Sequence, residues 1–140
     1  MLTGNKDVDF IILNKLDDID LVNICQVNKQ AKTLCNDQDF WLNRIMLKFP
    51  YLGLNVLNKH KQERLWNQYY IQDLRKINIS NDVNETLVTG AEKGRLDHVM
   101  IAITNGADIH VSNDLAVREA SKNGHTNVVE YLISQGAPRP

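Results

Sequence analysis

The sequence has little of several things at once. Only three of its 140 residues are proline and two are cysteine, and no apolar run approaches the roughly 20 residues that a membrane-spanning helix needs. Its start, "MLTGNKDVD", lacks the apolar core of a secretory signal, so the expectation is a cytoplasmic or nuclear protein without a membrane partner. The cysteines, Cys25 and Cys35, form no Cys-x-x-Cys pair and have no second pair elsewhere. Neither zinc nor a disulfide framework is indicated, and both read as small buried hydrophobes. An excess of one charge is missing too. Sixteen Lys and Arg against seventeen Asp and Glu leave a net charge of -1, without the basic face that nucleic acid requires. The one local exception, "NKHKQERL" from Asn58 to Leu65, reads as a solvated loop and helix start. Strand signals are scarce, with no long alternation and no Asn-Gly or Asp-Gly pair between β-branched stretches, so the expected fold class is all-α.

Catalytic patterns are absent as well. There is no Gly-rich phosphate loop, no Gly-x-Ser-x-Gly and no His-Glu-x-x-His, and the four histidines pair with no nucleophile. The chain therefore reads as a non-catalytic binding protein, with no cofactor, metal or catalytic residue expected.

What is present is helical periodicity. "DFIILNKL" places Phe10, Ile12, Leu13 and Leu16 on one broad face. In "LDDIDLVNICQV", Asp17 is placed to cap a second helix, and Asp18 and Asp20 in its first turn suit the positive end of the helix dipole. A third helix is expected from Asn28 to Cys35. A fourth, capped by Asn36 or Asp37 and ended by Pro50, has Phe40, Trp41, Ile45 and Leu47 as its stripe. A fifth runs from Gln62 to Ile77, and the polar "NISNDVN" from Asn78 to Asn84 marks a boundary.

The C-terminal third repeats itself. "AEKGRLDHVMIAITNGADI" and "SKNGHTNVVEYLISQGAPR" align without gaps at an offset of 30 residues, Gly94 on Gly124 and Gly106 on Gly136. A fixed period of this size signals stacked helical pairs, each completing the core of its neighbour. Val128, Val129, Leu132 and Ile133 form the inward stripe of one unit, and His98, Val99, Ala102 and Ile103 occupy the matching places in the other. His98 is expected to be a partly exposed interface histidine, since no other His, Cys or carboxylate cluster points to it. After Gly136 only "APRP" follows, so the outer faces of Tyr131 and Leu132 are expected to be uncovered.

The repeated residues resemble ankyrin repeats over Glu85 to Ala137, on the Gly-His pair, the Val-Val and Leu-Ile steps and the closing Gly-Ala of "NGHTNVVEYLISQGA". The family's Thr-Pro-Leu-His is replaced by "ETLV" and "LAVR", and the short period resembles repeats of large DNA viruses, which would put the protein in an infected host cell. The segment "IILNKLDDIDLVNICQVNKQAKTLCNDQDFW" resembles an F-box, a three-helix module that docks on the Skp-type adaptor of cullin-RING ubiquitin ligases, although "DVDF" stands where that family has Leu-Pro. The resemblances imply an F-box-like module at 8–50, a linker with an amphipathic helix at 51–82, and two ankyrin repeats at 83–112 and 113–137. They also imply a substrate-recruiting adaptor. Phe10, Ile11, Leu16, Leu21, Ile24, Val27 and Trp41 are then candidates for the adaptor-facing or core surface, while Asp108, His110, Ser112, Asn113, Arg118 and Lys122 are candidates for holding an unknown target protein. In a second reading the N-terminal helices are only a structural cap for the repeats, because an array usually needs about three units. Exposure of Phe10, Ile11 and Leu21 separates the two readings.

Overall fold

The computed structural model describes residues 2–77 and 82–140. Among these the chain is all-helical: α1 (Lys6–Asn14), α2 (Asp18–Val27), α3 (Lys29–Cys35), α4 (Gln38–Lys48), α5 (Leu54–Lys61), α6 (Trp66–Gln72), a 3-10 turn (Leu74–Lys76), α7 (Val83–Lys93), α8 (Leu96–Thr104), α9 (Val111–Lys122) and α10 (Thr126–Ser134). No helix among the described residues is long and apolar enough to cross a membrane.

Asn and Asp side chains start many of these helices by accepting backbone N–H bonds that would otherwise lack a partner: Asn5 for α1, Asp17 for α2, Asn28 for α3, Asp37 for α4 and Asp82 for α7. Asp17 accepts from Asp20 N at 2.9 Å, the cap expected of it. At the other ends glycine turns the chain. Gly94 has φ +73, and a Cβ there would stand 2.5 Å from Nδ1 of His125, so only glycine lets the second repeat approach the first this closely.

Two cores result. The first gathers Leu13, Leu21, Ala31, Phe40, Trp41, Ile45, Leu57, Tyr69, Tyr70 and Leu74, and takes in Ile101 from α8. The second lies between the helices of the repeats, with Leu87, Ala91, Val99, Ala102, Ala116, Val117, Val128 and Leu132. Ile101 faces away from the repeat core and into the N-terminal one, so α8 is shared between them.

Several expectations change. Helix α5 lies where a solvated loop was expected: its inward residues are Leu57 and His60, so a histidine fills a place where an apolar residue would have signalled the helix. The helix expected over Gln62 to Ile77 is shorter, because Gln62 adopts a left-handed φ of +57 and Asp73 leaves helical geometry. Leu47 is exposed, and buried Arg44 takes its place on the inner face of α4. Asn78 to Asn81 of the expected boundary lie outside the described residues, whereas Val83 and Asn84 already belong to α7. Leu132 is fully buried in the repeat core and Tyr131 is half-buried against it, while Ala137 closes the end of α10 by donating its N–H to Leu132 O at 3.0 Å. Cys25 and Cys35 are joined by a disulfide across α2 and α3, their Cα atoms 6.1 Å apart. The sequence shows their separation along the chain but not that two adjacent helices face each other there.

Phe40 is fully buried and meets the rings of Phe10 and Trp41 edge-on, with centroids 5.2 and 5.3 Å away. Truncating it leaves a cavity at the meeting point of α1 and α4. Phe40→Ala is expected to cost about 3 to 5 kcal/mol, read as a lower urea midpoint at unchanged slope.

Candidate functional site

The N-terminal module separates the adaptor candidates by burial. Leu21 and Trp41 are core residues, Trp41 donating from Nε1 to Cys35 O at 2.6 Å, so neither is available to a partner. Phe10, Leu16 and Ile24 are half-buried against the core. Ile11 and Val27 stand in solvent, 59% and 84% exposed, and are joined by Val8 and by Ile19 at 67%. On α2, Leu21 points inward while Ile19 and Val27, eight residues apart, share the outward side. The sequence reading missed Val8 and Ile19, because an exposed apolar residue looks the same in a sequence as a buried one.

The segment before α1 is tied down where the sequence has "DVDF". Asp9, itself buried, accepts from Thr3 N and Oγ1 and from Gly4 N at 2.7, 2.9 and 2.9 Å. Bonds from Thr3 outweigh burial and hold its carboxyl below the usual range. On α2, Asp18 is more than a first-turn acid. It accepts from Arg44 at 2.9 Å and from the Tyr70 hydroxyl at 2.6 Å, with Lys48 and Arg75 each 3.8 Å away. Arg44, 1% exposed, also donates to Leu16 O and Asn14 Oδ1, so α1, α2, α4 and α6 converge on this pair.

All six target candidates are exposed: Asp108, His110, Ser112, Asn113, Arg118 and Lys122. They cluster at the turn between the repeats and along α9. Ser112, Asn113 and Asp114 take three successive left-handed conformations, φ +52, +59 and +61, which cost non-glycine residues energy. Arg118 holds this turn by donating to Asn113 O and Ser112 O at 3.0 Å each, and His110 Nδ1 meets Asp114 Oδ1 at 2.5 Å. Asp108 N donates to Asn84 on α7 at 2.7 Å, fixing the turn to the preceding repeat.

The densest polar cluster lies elsewhere, where α5 and α6 meet α8. Asp97 is fully buried and accepts from Tyr69 Oη at 2.6 Å, from Arg95 Nη2 and Nε at 2.7 and 3.1 Å, and from His98 N at 2.9 Å. Asp73 accepts from Arg95 at 2.7 Å and Arg64 at 3.1 Å, and meets His98 Nε2 at 2.5 Å. His98 is partly exposed at the interface, as expected, but two carboxylates, Asp73 and Asp97, face it, where the sequence pointed to none. Burial pushes both carboxyls up, but His98 and Arg95 around Asp73, and Arg95, His98 and Tyr69 around Asp97, outweigh it and hold both below the ordinary range. Burial, and then the charge of Asp97, pushes the Tyr69 hydroxyl up, so it stays a donor. His60 is buried with Nδ1 4.0 Å from Asp97 Oδ1 and, among the described residues, no hydrogen-bond partner for Nε2, and burial lowers its pKa. Asp73, Asp97 and His98 lie close enough to suggest metal ligands. Two guanidinium groups already neutralise the two carboxylates, which makes the cluster a salt-bridge network and a poor cation site. A signal for it existed in the sequence: at the 30-residue offset Asp97 aligns with Asn127 and Arg95 with His125, so the first repeat departs from the second at these places.

Residues 10–43 match the F-box domain family. The F-box match covers α1 from Phe10 onward, α2, α3 and the first half of α4, including every adaptor candidate. Over 32 residues, 23% of this chain, the sequence is 59% identical to an ankyrin repeat protein of Acanthamoeba polyphaga mimivirus, and the stretch is 12% of that protein. No solved structure gives a significant match.

Asp97→Asn is expected to destabilise the chain by about 3 kcal/mol, the low end for breaking a buried ion pair, because Arg95 keeps Asp73 and some contact with water. The depressed carboxyls contribute stability that is complete above their unfolded values near about pH 4 and is lost as pH falls through the folded ones. Urea midpoints measured between pH 6 and pH 3 should fall more steeply for the native chain than for Asp97→Asn.

Proposed function

We propose that this chain is a non-catalytic adaptor that docks on a Skp-type adaptor of a cullin-RING ubiquitin ligase through its F-box and recruits a target protein through its repeats. The observation that carries the first half is the exposed apolar surface of Val8, Ile11, Ile19 and Val27 inside or beside the matched segment. Large apolar side chains left in water on two adjacent helices are what a docking surface needs, and the core does not use them. The second half is supported by the ankyrin relative and by the pre-formed turn at Ser112 to Asp114, whose cost is met by Arg118 and His110 whether or not a partner is present. In this reading Asp108, His110, Asn113 and Lys122 face the target, and Arg118 holds the turn that presents them. The divisions 8–50, 51–82, 83–112 and 113–137 describe the units, and the compartment is that of the ligase in a host cell.

The capping role also has support: α8 buries Ile101 against the N-terminal core, and of the three residues whose exposure separates the two readings Leu21 is buried and Phe10 half-buried, with Ile11 alone exposed. The two roles use opposite faces of one module and coexist.

Titration of the purified chain against a Skp-type adaptor tests the docking half. Because Ile11 and Val27 lie outside the core, Ile11→Glu with Val27→Glu is expected to leave the thermal midpoint within about 2 °C. Affinity should fall at least tenfold, about 1.4 kcal/mol. Saturable binding that this variant retains would place the contact elsewhere, and no binding of the native chain at high micromolar adaptor would leave the cap as the module's role.

A further inference from the structure

The disulfide ties two helices of the F-box segment together. Cys25 and Cys35 are the chain's only cysteines, and both fall inside the F-box match. They join the helix that carries Ile19 and Val27 to the short helix α3, whose Ala31 and Leu34 pack on the same core. The bond lies beside a hollow of about 370 Å³ lined by Val22, Gln26, Lys32, Asn36, Trp41 and Ile71, so it is reachable from solvent, and Lys32 gives the opening a positive charge. Cys25 is half-buried and Cys35 close to fully buried. In a cytosol or nucleus, thiols are kept reduced, so a pair positioned to close is open by default there and closes when the glutathione pool is oxidised.

We infer that Cys25 and Cys35 are a reversible thiol–disulfide switch, closed by glutathione disulfide, that sets how firmly α2 presents the adaptor-docking face. The inference about docking rests on the proposed function, while the switch itself does not. In the exchange, the more accessible Cys25 thiolate attacks one sulfur of glutathione disulfide, breaking that S–S bond and releasing one glutathione thiolate. The Cys35 thiolate then attacks Cys25 Sγ and releases the second glutathione. Two protein thiols are oxidised, one glutathione disulfide is reduced to two glutathione molecules, and the two protons pass to the leaving thiolates. Glutathione disulfide is anionic, which suits the charge of Lys32 at the opening. A closed loop of this length restricts the unfolded chain by on the order of a hundredfold in the folding equilibrium, or roughly 10 °C in melting temperature.

The full chain is equilibrated in glutathione buffers from fully reduced to fully oxidised, quenched by alkylation and weighed. The expected result is a single transition from two alkylated cysteines to none, in monomeric protein free of bound glutathione, with melting temperature rising by roughly 10 °C across it. A Cys25→Ser, Cys35→Ser variant should show neither change. Thiols that stay alkylatable, chains joined between molecules, or a glutathione adduct that persists would overturn the switch. Adaptor titrations on the reduced and oxidised forms then test the coupling. Binding at least threefold tighter when oxidised, with no such difference in the double variant, supports it, and equal affinity overturns it. If neither form binds adaptor while the thiol transition stands, the docking reading has failed and the switch has not.

Discussion

A fully buried carboxylate, Asp97, sets how the two halves of this protein meet. Taking one charge out of water costs several kcal/mol unless its partners are complete, and here the start of α8 supplies the guanidinium of Arg95 and the backbone N–H of His98 while Tyr69 on α6 reaches across with its hydroxyl. Asp73, at the end of α6, takes the remaining face of Arg95 and binds His98 and Arg64. Ile101 supplies the non-directional attraction between α8 and the N-terminal core. The ionic cluster supplies direction, because a slide of one element past the other leaves at least one buried charge without its partner.

The same design recurs inside the N-terminal module. Arg44 lies where an apolar residue would fill the core, and its partners Asp18, Asn14 and the carbonyl of Leu16 come from α1, α2 and the turn between them, while Tyr70 of α6 closes on Asp18. These hydrogen-bonded ion pairs contribute less to net stability than to choosing one arrangement among several that would bury similar apolar area. Short helices of seven to twelve residues need such selection, since each presents too small an apolar face to fix its own angle.

Helices with strong local punctuation were legible in the sequence: Asp17 before α2, Asn28 before α3, and the glycines of the repeats all act where the pattern puts them. Helix α5 was not, because it starts at Gly53 without a side-chain cap and turns His60 inward. The site residues divide along similar lines. The turn candidates are exposed as the repeat pattern implied, since the period fixes which residues face out. The adaptor candidates were one undivided set, because an apolar residue on a short helix carries no mark of which side it faces, and only the packing separates Leu21 and Trp41 from Ile11 and Val27. The disulfide joins two helices and the cluster joins Tyr69 and Asp73 to Arg95, Asp97 and His98, and the helical period does not encode such pairings between elements.

The N-terminal module gives α8 an apolar wall on the side that the repeat core does not use. The inner side of α8, Val99 and Ala102, packs within the repeats, while Ile101 on its other side enters the core built by Leu13, Leu21, Phe40 and Ile45. Those inward residues leave the opposite side of α1 and α2 free, where Val8, Ile11, Ile19 and Val27 remain in water. Capping and docking therefore do not compete for the same side chains. On the proposed reading, a partner bound on the outer face and a target bound at the Ser112 to Asp114 turn are linked through α6 and α8, joined by the buried carboxylates, so the relative placement of the two bound proteins is set by the fold without a flexible tether.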